Sequence, residues 1–258
     1  MTGLSVVIIT FNEEKNIGRC IDSVKNLADE IIVVDSLSTD NTKSICLSKG
    51  AKFIEHKFEG FTSQKNFAVG QATHSHILAL DADEYLSPEL AHSIGNVKAN
   101  WNSDGYSMNR LNSYAGKWIK SCGWYPDRKI RLWDKRKGAW SGGLVHELVV
   151  MQDGAKVQHL QGDLLHLAYD NASQLISKMQ QQYADLFARE NAHKKKVTTF
   201  KIFYKTLASF LKSYLLKGGI WDGYEGLIIS VSNANGVFYK YAKLLETNRS
   251  GKNIAPKL

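Results

Sequence analysis

The N-terminal third of the chain alternates between short apolar segments and segments with helical spacing. Buried strands are predicted for four runs rich in β-branched and apolar residues: 4–10, 30–35, 51–55 and 76–80. Helices are predicted between them at 12–26, at 41–49 and from residue 60 onwards, with Asn12 as the cap of the first. Strands separated by helices of about 10–15 residues are typical of βαβ units, so the pattern predicts an α/β fold with a parallel sheet.

Polar side chains stand where three of the predicted strands end. Thr10 and Asn12 follow the first strand, Asp35 ends the second, and Asp81 and Asp83 follow the fourth. The carboxyl ends of parallel strands line the crevice in which open α/β folds bind ligands. Residues two apart in an extended chain point the same way, so Asp81 and Asp83 are expected to converge and to suit a divalent cation. A solvated acidic turn is the alternative.

Composition and charge narrow the class of partner. The chain has 258 residues, 43% of them hydrophobic, and a net charge of +8. This excess favours an anionic partner: a nucleotide, a phosphorylated lipid, a membrane surface or a nucleic acid. The sequence lacks RNA-binding motifs, which disfavours the last. Three scattered cysteines predict a reducing compartment, and neither a signal peptide nor a membrane-spanning segment is predicted.

Three segments carry a resemblance to a known family. SVVIITFNEE (residues 5–14), IVVDSLSTDNT (32–42) and LDAD (80–83) resemble, in order and spacing, the inverting family 2 glycosyltransferases with a GT-A fold. The resemblance is strong over residues 4–90. It implies a Rossmann-like, mostly parallel sheet with helices on both faces, and a nucleoside diphosphate sugar bound in the crevice.

The resemblance also implies roles for the residues of the first two motifs. In the family, the early Asn/Glu pair and the Asp after the second strand contact the base and ribose. These contacts fall on Thr10, Asn12, Glu13 and Asp35, with Ser36 next to them. The donor nucleotide implied by the family is UDP.

The third motif is implied to hold the diphosphate. The first Asp of the family's D-x-D, here Asp81, reaches the ribose or base side, and the last, Asp83, binds Mg²⁺ or Mn²⁺; Ala82 lies between them. Lys65 resembles the family's basic residue near the nucleotide. Leu37 stands where the family has a small residue, which leaves the path of its loop open.

The middle third is where recognition of the acceptor is expected. GWYP (residues 123–126), RLW (131–133) and VHE (145–147) resemble a branch that adds sugars, typically β-glucosyl, to the lipopolysaccharide inner core. Aromatic rings interleaved with basic groups suit sugar stacking and phosphate binding. The predicted acceptor contacts are Trp124, Tyr125, Arg128, Arg131 and His146. The alternative is that the aromatic side chains of this region are partly buried core residues and that its basic side chains only face solvent.

Inversion by a single displacement requires a carboxylate that takes the proton of the acceptor hydroxyl. Glu147 stands where the family places this residue and is the predicted base; a surface carboxylate is the alternative. His166 is the candidate for a further metal or diphosphate contact, with a structural core histidine as the alternative.

The last third is predicted to be helical. On the segment from Phe200 to Lys217, an apolar stripe of Phe203, Leu207, Phe210 and Tyr214 lies opposite Lys201, Lys205 and Lys212. This arrangement predicts a core face with a solvated face. The alternative is peripheral attachment to an anionic membrane leaflet, which fits the net charge.

The sequence therefore predicts a GT-A domain at 1–168, divided at residue 98 into nucleotide-binding and acceptor-binding halves, then helices at 169–247 and a tail at 248–258. The predicted function is metal-assisted transfer of a sugar, glucose by family, from UDP to a lipopolysaccharide core or related lipid-linked glycan. The predicted site of action is the cytoplasm or the inner face of the membrane. Alternatives are glycosylation of a capsule, an exopolysaccharide or a protein, or non-catalytic nucleotide binding.

Overall fold

A computed structural model describes residues 2–142, 147–177, 184–192 and 194–250. By the density of their internal contacts, the residues form two compact units. The first comprises residues 1–111 and 126–167, and the second comprises 112–125 and 168–258. The segment 112–125, which the sequence assigned to the acceptor-binding half, thus groups with the C-terminal helices. Among the described residues, no helix combines the length and apolar character needed to cross a membrane.

A mixed sheet forms the centre of the first unit. Its strands are β1 (Leu4–Thr10), β2 (Glu30–Asp35), β3 (Lys52–Glu55), β4 (His76–Asp81), β5 (Glu84–Leu86), β6 (Gly105–Tyr114), β8 (Asp127–Asp134) and β11 (Val157–Tyr169). The spatial order is β3-β2-β1-β4-β8-β6-β11-β5. The last residues of β6 and β11 belong to the second unit, as does β7 (Lys117–Trp118), which pairs with β6. β9 (Gly138–Ser141) and β10 (Leu148–Met151) form a separate antiparallel pair.

The first four strands of the sheet are parallel, as predicted. Thr10 of β1 pairs with Asp35 of β2, and Ile9 pairs with Asp81 of β4, so three strands end at one edge. The pairings of β4 with β8, β8 with β6, and β11 with β5 are antiparallel. The carboxyl ends of β1, β2 and β4 therefore form the edge at which the crevice was predicted. The antiparallel strands extend the sheet beside β4.

Helices cover both faces of the parallel half. They are α1 (Ile17–Val24), α2 (Thr42–Ser48), α3 (Phe61–Gly70) and α4 (Pro88–Ala99). Alternate residues of β1 point to opposite faces: Val6 and Ile8 pack in the cluster with α1 and α4, and Val7 packs in the cluster with α3. Because both faces are buried, the strands are nearly continuous apolar runs, which made them visible in the sequence.

Two local expectations were wrong. The first helix begins at Ile17 with Asn16 at its N-cap, whereas Asn12 has φ +53° and lies outside the helix. Residues 82 and 83 form a turn, so the extended geometry expected beyond β4 is not maintained. In both places the chain forms contacts with distant segments, and these contacts outweigh the local pattern.

The second unit is mainly helical. Its helices are α5 (Ala172–Ser177), α6 (Ala184–Asn191), α7 (Thr199–Leu211) and α8 (Gly223–Ser250). A π-helical turn (Lys212–Leu216) and a 3₁₀ turn (Gly219–Asp222) join α7 to α8, and Gly218 between them has φ +71°. The helical segment predicted from Phe200 to Lys217 thus comprises α7 and the π-helical turn, and it stops next to Gly218, which adopts the left-handed conformation common after helix ends.

Candidate functional site

The loops that follow β1 and β2 are joined to each other. The backbone N–H of Asn12 donates to Ser38 Oγ at 2.8 Å, and the backbone N–H of Thr39 donates to Asn12 Oδ1, also at 2.8 Å. Leu37 has φ +66°, so the loop passes through the left-handed region at the position where the resemblance implies a small residue. Asn12 therefore fixes the shape of this edge, a role compatible with the predicted contact to a nucleotide.

The polar residues of these loops differ in their partners. Asp35 is buried and its carboxylate accepts from the backbone N–H of Ser38 at 2.7 Å. Ser36 Oγ accepts from Gln64 Nε2 at 3.1 Å, and Glu13 Oε2 accepts from Asn16 Nδ2 at 2.7 Å. Within the described chain, the buried hydroxyl of Thr10 has no hydrogen-bond partner. A bound ligand can supply the hydrogen bond that this hydroxyl lacks.

Lys65 joins two carboxylates that are far apart in the sequence. Its Nζ lies 2.9 Å from Asp81 Oδ1 and 2.9 Å from Glu147 Oε1, and the lysine side chain is almost fully buried. The structure thus brings together three residues for which the sequence predicted functions. We call this group the Lys65 bridge.

Behind the Lys65 bridge lies a buried charge network. Arg131 Nη2 donates to Asp81 Oδ2 at 3.0 Å and to Glu84 Oε1 at 2.6 Å. Glu84 is 0% exposed, and its other oxygen accepts from the backbone N–H of Asp81 at 3.0 Å. Arg110 contacts Glu84 at 3.4 Å and Asp127 at 2.8 Å. Through Arg131 and Glu84, the network fixes the position of Asp81.

The charges in this network alter the acidity of Asp81. Burial alone would raise the pKa of the Asp81 carboxyl, but Lys65 and Arg131 lower it by more, so its pKa lies below the ordinary value. The same carboxylates act on Arg131: burial lowers its pKa, and Glu84 and Asp81 raise it above the ordinary value. Asp81 and Arg131 are therefore both charged at neutral pH.

This shift predicts how stability depends on pH. A carboxyl with a depressed folded-state pKa stabilises the fold above the unfolded-state pKa of about 3.9, and this stabilisation is lost as the pH falls through the folded-state value. We expect Asp81→Asn to be less stable than wild type at pH 7, and the difference to shrink below about pH 4. Urea midpoints at a series of pH values measure this; a difference that does not change with pH would contradict it.

Asp83 and His166 meet beside the Lys65 bridge. His166 Nε2 lies 3.3 Å from Asp83 Oδ2, and both side chains are partly exposed. The expected convergence of Asp81 with Asp83 assumed an extended chain, whereas residues 82 and 83 form a turn and the two carboxylates have different partners: Lys65 and Arg131 for Asp81, and His166 for Asp83. The described residues contain no group of three or more His, Cys, Asp or Glu side chains arranged for a metal ion. An oxygen and an imidazole donor fit a divalent ion that completes its coordination with diphosphate oxygens.

Trp140 is a part of the site that sequence reasoning missed. Lys65 Nζ lies 4.5 Å and Arg131 Cζ 5.2 Å from the centre of its ring, so two buried cations contact one aromatic side chain. Asn66 holds its backbone with two hydrogen bonds, Nδ2 to the Trp140 carbonyl at 2.9 Å and the Trp140 N–H to Oδ1 at 3.1 Å. No local pattern in the sequence indicates this pairing, because Asn66 and Trp140 are 74 residues apart.

The Asn66 contact gives a second prediction. Removing its side chain with Asn66→Ala leaves a backbone N–H and a carbonyl of Trp140 without their partners, which costs about 1–3 kcal/mol. We expect a lower free energy of unfolding and a lower kcat, since the ring that contacts Lys65 loses its support. Urea unfolding together with steady-state kinetics measures both; unchanged kcat despite lost stability would show that Trp140 does not position Lys65.

The predicted acceptor residues have different environments. Arg128 is exposed, whereas Arg131 is 3% exposed and belongs to the charge network. Trp124 and Tyr125 lie in the second unit, where Trp124 packs near Tyr169 with ring centres 5.7 Å apart. Tyr125 lies beneath Lys120 Nζ at 5.5 Å. His146 lies outside the described residues.

Comparison with known proteins defines the class. The model of glycosyl transferase family 2 matches residues 5–137, more than half of the chain. A glycosyltransferase of Rickettsia typhi, itself uncharacterised, is 33% identical over 98% of this chain and 90% of its own length. The lipopolysaccharide core biosynthesis glycosyltransferase LpsC of Rhizobium meliloti is 29% identical over 94% of this chain and 92% of its own length. The chain is thus a glycosyltransferase.

It belongs to glycosyl transferase family 2, and the expected family and GT-A fold class are confirmed. The matched residues include Asp35, Lys65 and Asp81, whereas Glu147 and His166 lie beyond them. Glucosyl-3-phosphoglycerate synthase of Mycobacterium tuberculosis, solved with Mn²⁺ and UDP, is 23% identical and covers 45% of each chain with a TM-score of 0.36. This likeness is too partial to bear on the donor or the metal of the present chain.

Proposed function

We propose that this glycosyltransferase transfers a hexose, glucose as the first candidate, from UDP to a lipopolysaccharide core or a related lipid-linked glycan. The observation that carries the proposal is the Lys65 bridge, which joins the candidate base Glu147 to Asp81 of the D-x-D segment. The name of the relative LpsC, similar along nearly the whole chain, supports the acceptor class. The reaction uses a cytoplasmic nucleotide sugar.

Each charged group has a role in a single displacement. The acceptor oxygen attacks the anomeric carbon as the bond from that carbon to the diphosphate oxygen breaks, and UDP leaves. Glu147 accepts the proton that the acceptor hydroxyl loses. Lys65 orients the Glu147 carboxylate through the 2.9 Å contact between its Nζ and Glu147 Oε1.

The nucleotide is held by the edge residues. Thr10, Asn12, Glu13, Asp35 and Ser36 surround the strand ends where base and ribose bind in an open α/β fold. Asp83 and His166 would hold Mg²⁺ or Mn²⁺, which neutralises charge on the diphosphate when bound. Asp81 stays ionised beside Lys65 and Arg131 and positions the adjoining turn at Ala82 and Asp83.

The acceptor contacts are proposed at the exposed Arg128 and at Trp124, Tyr125 and His146. Arg131 is better placed to orient Asp81 and Glu84 than to contact an acceptor, because its guanidinium is buried and paired with both carboxylates. We therefore assign it a positioning role.

A transfer assay tests the proposal. UDP-glucose, UDP-galactose and UDP-N-acetylglucosamine are offered in turn with deacylated core oligosaccharide, and UDP release and product mass are measured. A β-linked hexosyl product from the α-linked donor, identified by proton NMR, is expected. Transfer only to capsule fragments or to a peptide would overturn the acceptor class, and UDP binding without transfer to any acceptor would favour a non-catalytic nucleotide-binding protein.

A further inference from the structure

The second unit carries an exposed apolar surface on helix α7. The surface is formed by five side chains, which we call the α7 stripe: Phe200, Phe203, Tyr204, Leu207 and Leu211. The last four lie 3, 4, 7 and 11 residues after Phe200, so all five share one side of the helix within about 100°. All five are exposed in the structure, Phe200 to 78%.

The buried side of α7 faces in another direction. Ile202 is buried in a cluster with Leu244 of α8, so the α7 stripe points away from the core of its unit. The sequence predicted that the stripe containing Phe203 and Leu207 is a core face, and this is wrong, because both side chains are exposed. The periodicity showed an amphipathic helix but not which side a neighbour covers. At 100° per residue, Lys201, Lys205 and Lys212 lie about 110–150° around the helix from the centre of the stripe, on the side between the stripe and Ile202.

The exposed surface continues through the turns after α7. Leu216 is 81% exposed and Trp221 is 87% exposed, and Leu215, Ile220 and Tyr224 near them are also exposed. Large contiguous apolar areas are rare on the free surface of a protein and mark a site of association. Aromatic side chains such as Trp221 and Tyr224 favour the boundary between water and lipid.

The charges around this surface have one sign. Residues 199–221 contain four lysines and no acidic residue. The next two carboxylates, Asp222 and Glu225, both pair with Lys117, at 3.1 Å and 3.5 Å. Lysine side chains beside an apolar stripe can lay their methylene groups along it and extend their ammonium groups to an anionic surface.

We infer that the α7 stripe, together with the exposed side chains of Leu216 and Trp221, lies in the headgroup region of an anionic lipid leaflet. An amphipathic helix with aromatic and leucine residues on one side and flanking lysines binds such an interface by combining apolar burial with electrostatic attraction. The proposed association is peripheral, because only one side of α7 is exposed and its other side packs against α8. This inference does not rest on the proposed transfer reaction, since lipid binding is measured without donor or acceptor.

Sedimentation with lipid vesicles tests the inference. We expect the full chain to bind vesicles of phosphatidylcholine mixed with phosphatidylglycerol at low salt, and to bind phosphatidylcholine alone weakly. Replacing Lys205, Lys212 and Lys217 with glutamine should lower the partition coefficient on the order of a hundredfold. Replacing the exposed lysines Lys25, Lys52 and Lys137 of the first unit with glutamine is the control for charge and should have little effect.

Tryptophan fluorescence tests whether Trp221 enters the lipid interface. Trp221 is expected to move from water into the interface, so emission should shift to the blue when anionic vesicles are added. Trp221→Phe should retain binding and lose most of the shift, and Leu216→Asp should weaken binding at least tenfold. Far-UV circular dichroism shows that these variants remain folded.

Three outcomes would overturn the inference. The first is no binding to anionic vesicles at low salt. The second is equal loss of binding in the control lysine variant. The third is a dimer in light scattering that Leu216→Asp dissociates, with no vesicle binding by the monomer, since a second copy would then cover the surface.

Discussion

Replacing Glu147 with glutamine is expected to lower kcat about 10²–10⁴-fold, the usual contribution of a positioned general base. Glutamine keeps the size of the side chain and can still contact Lys65, but it cannot accept the acceptor's proton. The affinity for UDP should change little, because the proposed nucleotide contacts lie on other residues. Initial rates of UDP release at saturating donor and acceptor measure the effect.

A matched control variant separates a base from a carboxylate that only pairs with a lysine. Asp22→Asn is the matched control, since Asp22 also pairs with a lysine, Lys49 at 2.7 Å, but on the exposed surface. If Glu147→Gln retains activity within threefold of wild type, the base is another group.

Replacing Arg131 with methionine is expected to cost about 3–5 kcal/mol of unfolding free energy, as when one partner is removed from a buried ion pair. The substitution removes the closest partner of Glu84 and one of the two cations beside Asp81. Arg110 remains at 3.4 Å from Glu84, too long to replace the 2.6 Å contact with Arg131. Urea unfolding at pH 7 measures the change.

Two further variants identify the cause of this loss. Arg136→Met removes an arginine that also pairs with an aspartate, Asp134 at 2.6 Å, but the arginine side chain is 66% exposed, so a loss of at most about 1 kcal/mol is expected. Combining Arg131→Met with Glu84→Gln should cost less than the sum of the single substitutions, because glutamine does not leave an unpaired charge. Strict additivity would show that the loss comes from packing and not from the buried carboxylate.

The sequence predicted well those features that depend on neighbouring residues. The apolar runs of β1, β2 and β4 showed the parallel half of the sheet, since strands buried on both faces need no alternation. The ends of those runs then indicated the edge where Asp35 and Asp81 lie. The helical segment predicted from Phe200 to Lys217 likewise stops next to Gly218, whose left-handed conformation is one that glycine adopts readily.

Features that depend on distant residues were missed. Glu84 and Arg131 are 47 residues apart, and Asn66 and Trp140 are 74 apart, so no local pattern connects them. β11 mixes polar and apolar residues along its length, and no strand was predicted there. The direction of the α7 stripe was also not predictable, because periodicity defines two sides of a helix and tertiary packing selects the buried one.

Titration calorimetry with UDP tests whether the carboxyl edge of the parallel strands holds a metal-dependent nucleotide site that includes Asp83. UDP is titrated into wild type, Asp83→Ala and Glu147→Gln, each with and without Mn²⁺. We expect wild type and Glu147→Gln to bind UDP much more tightly with Mn²⁺, and Asp83→Ala to lose this gain. UDP binding that is equal with and without Mn²⁺, and unchanged in Asp83→Ala, would show that the site is not built in this way.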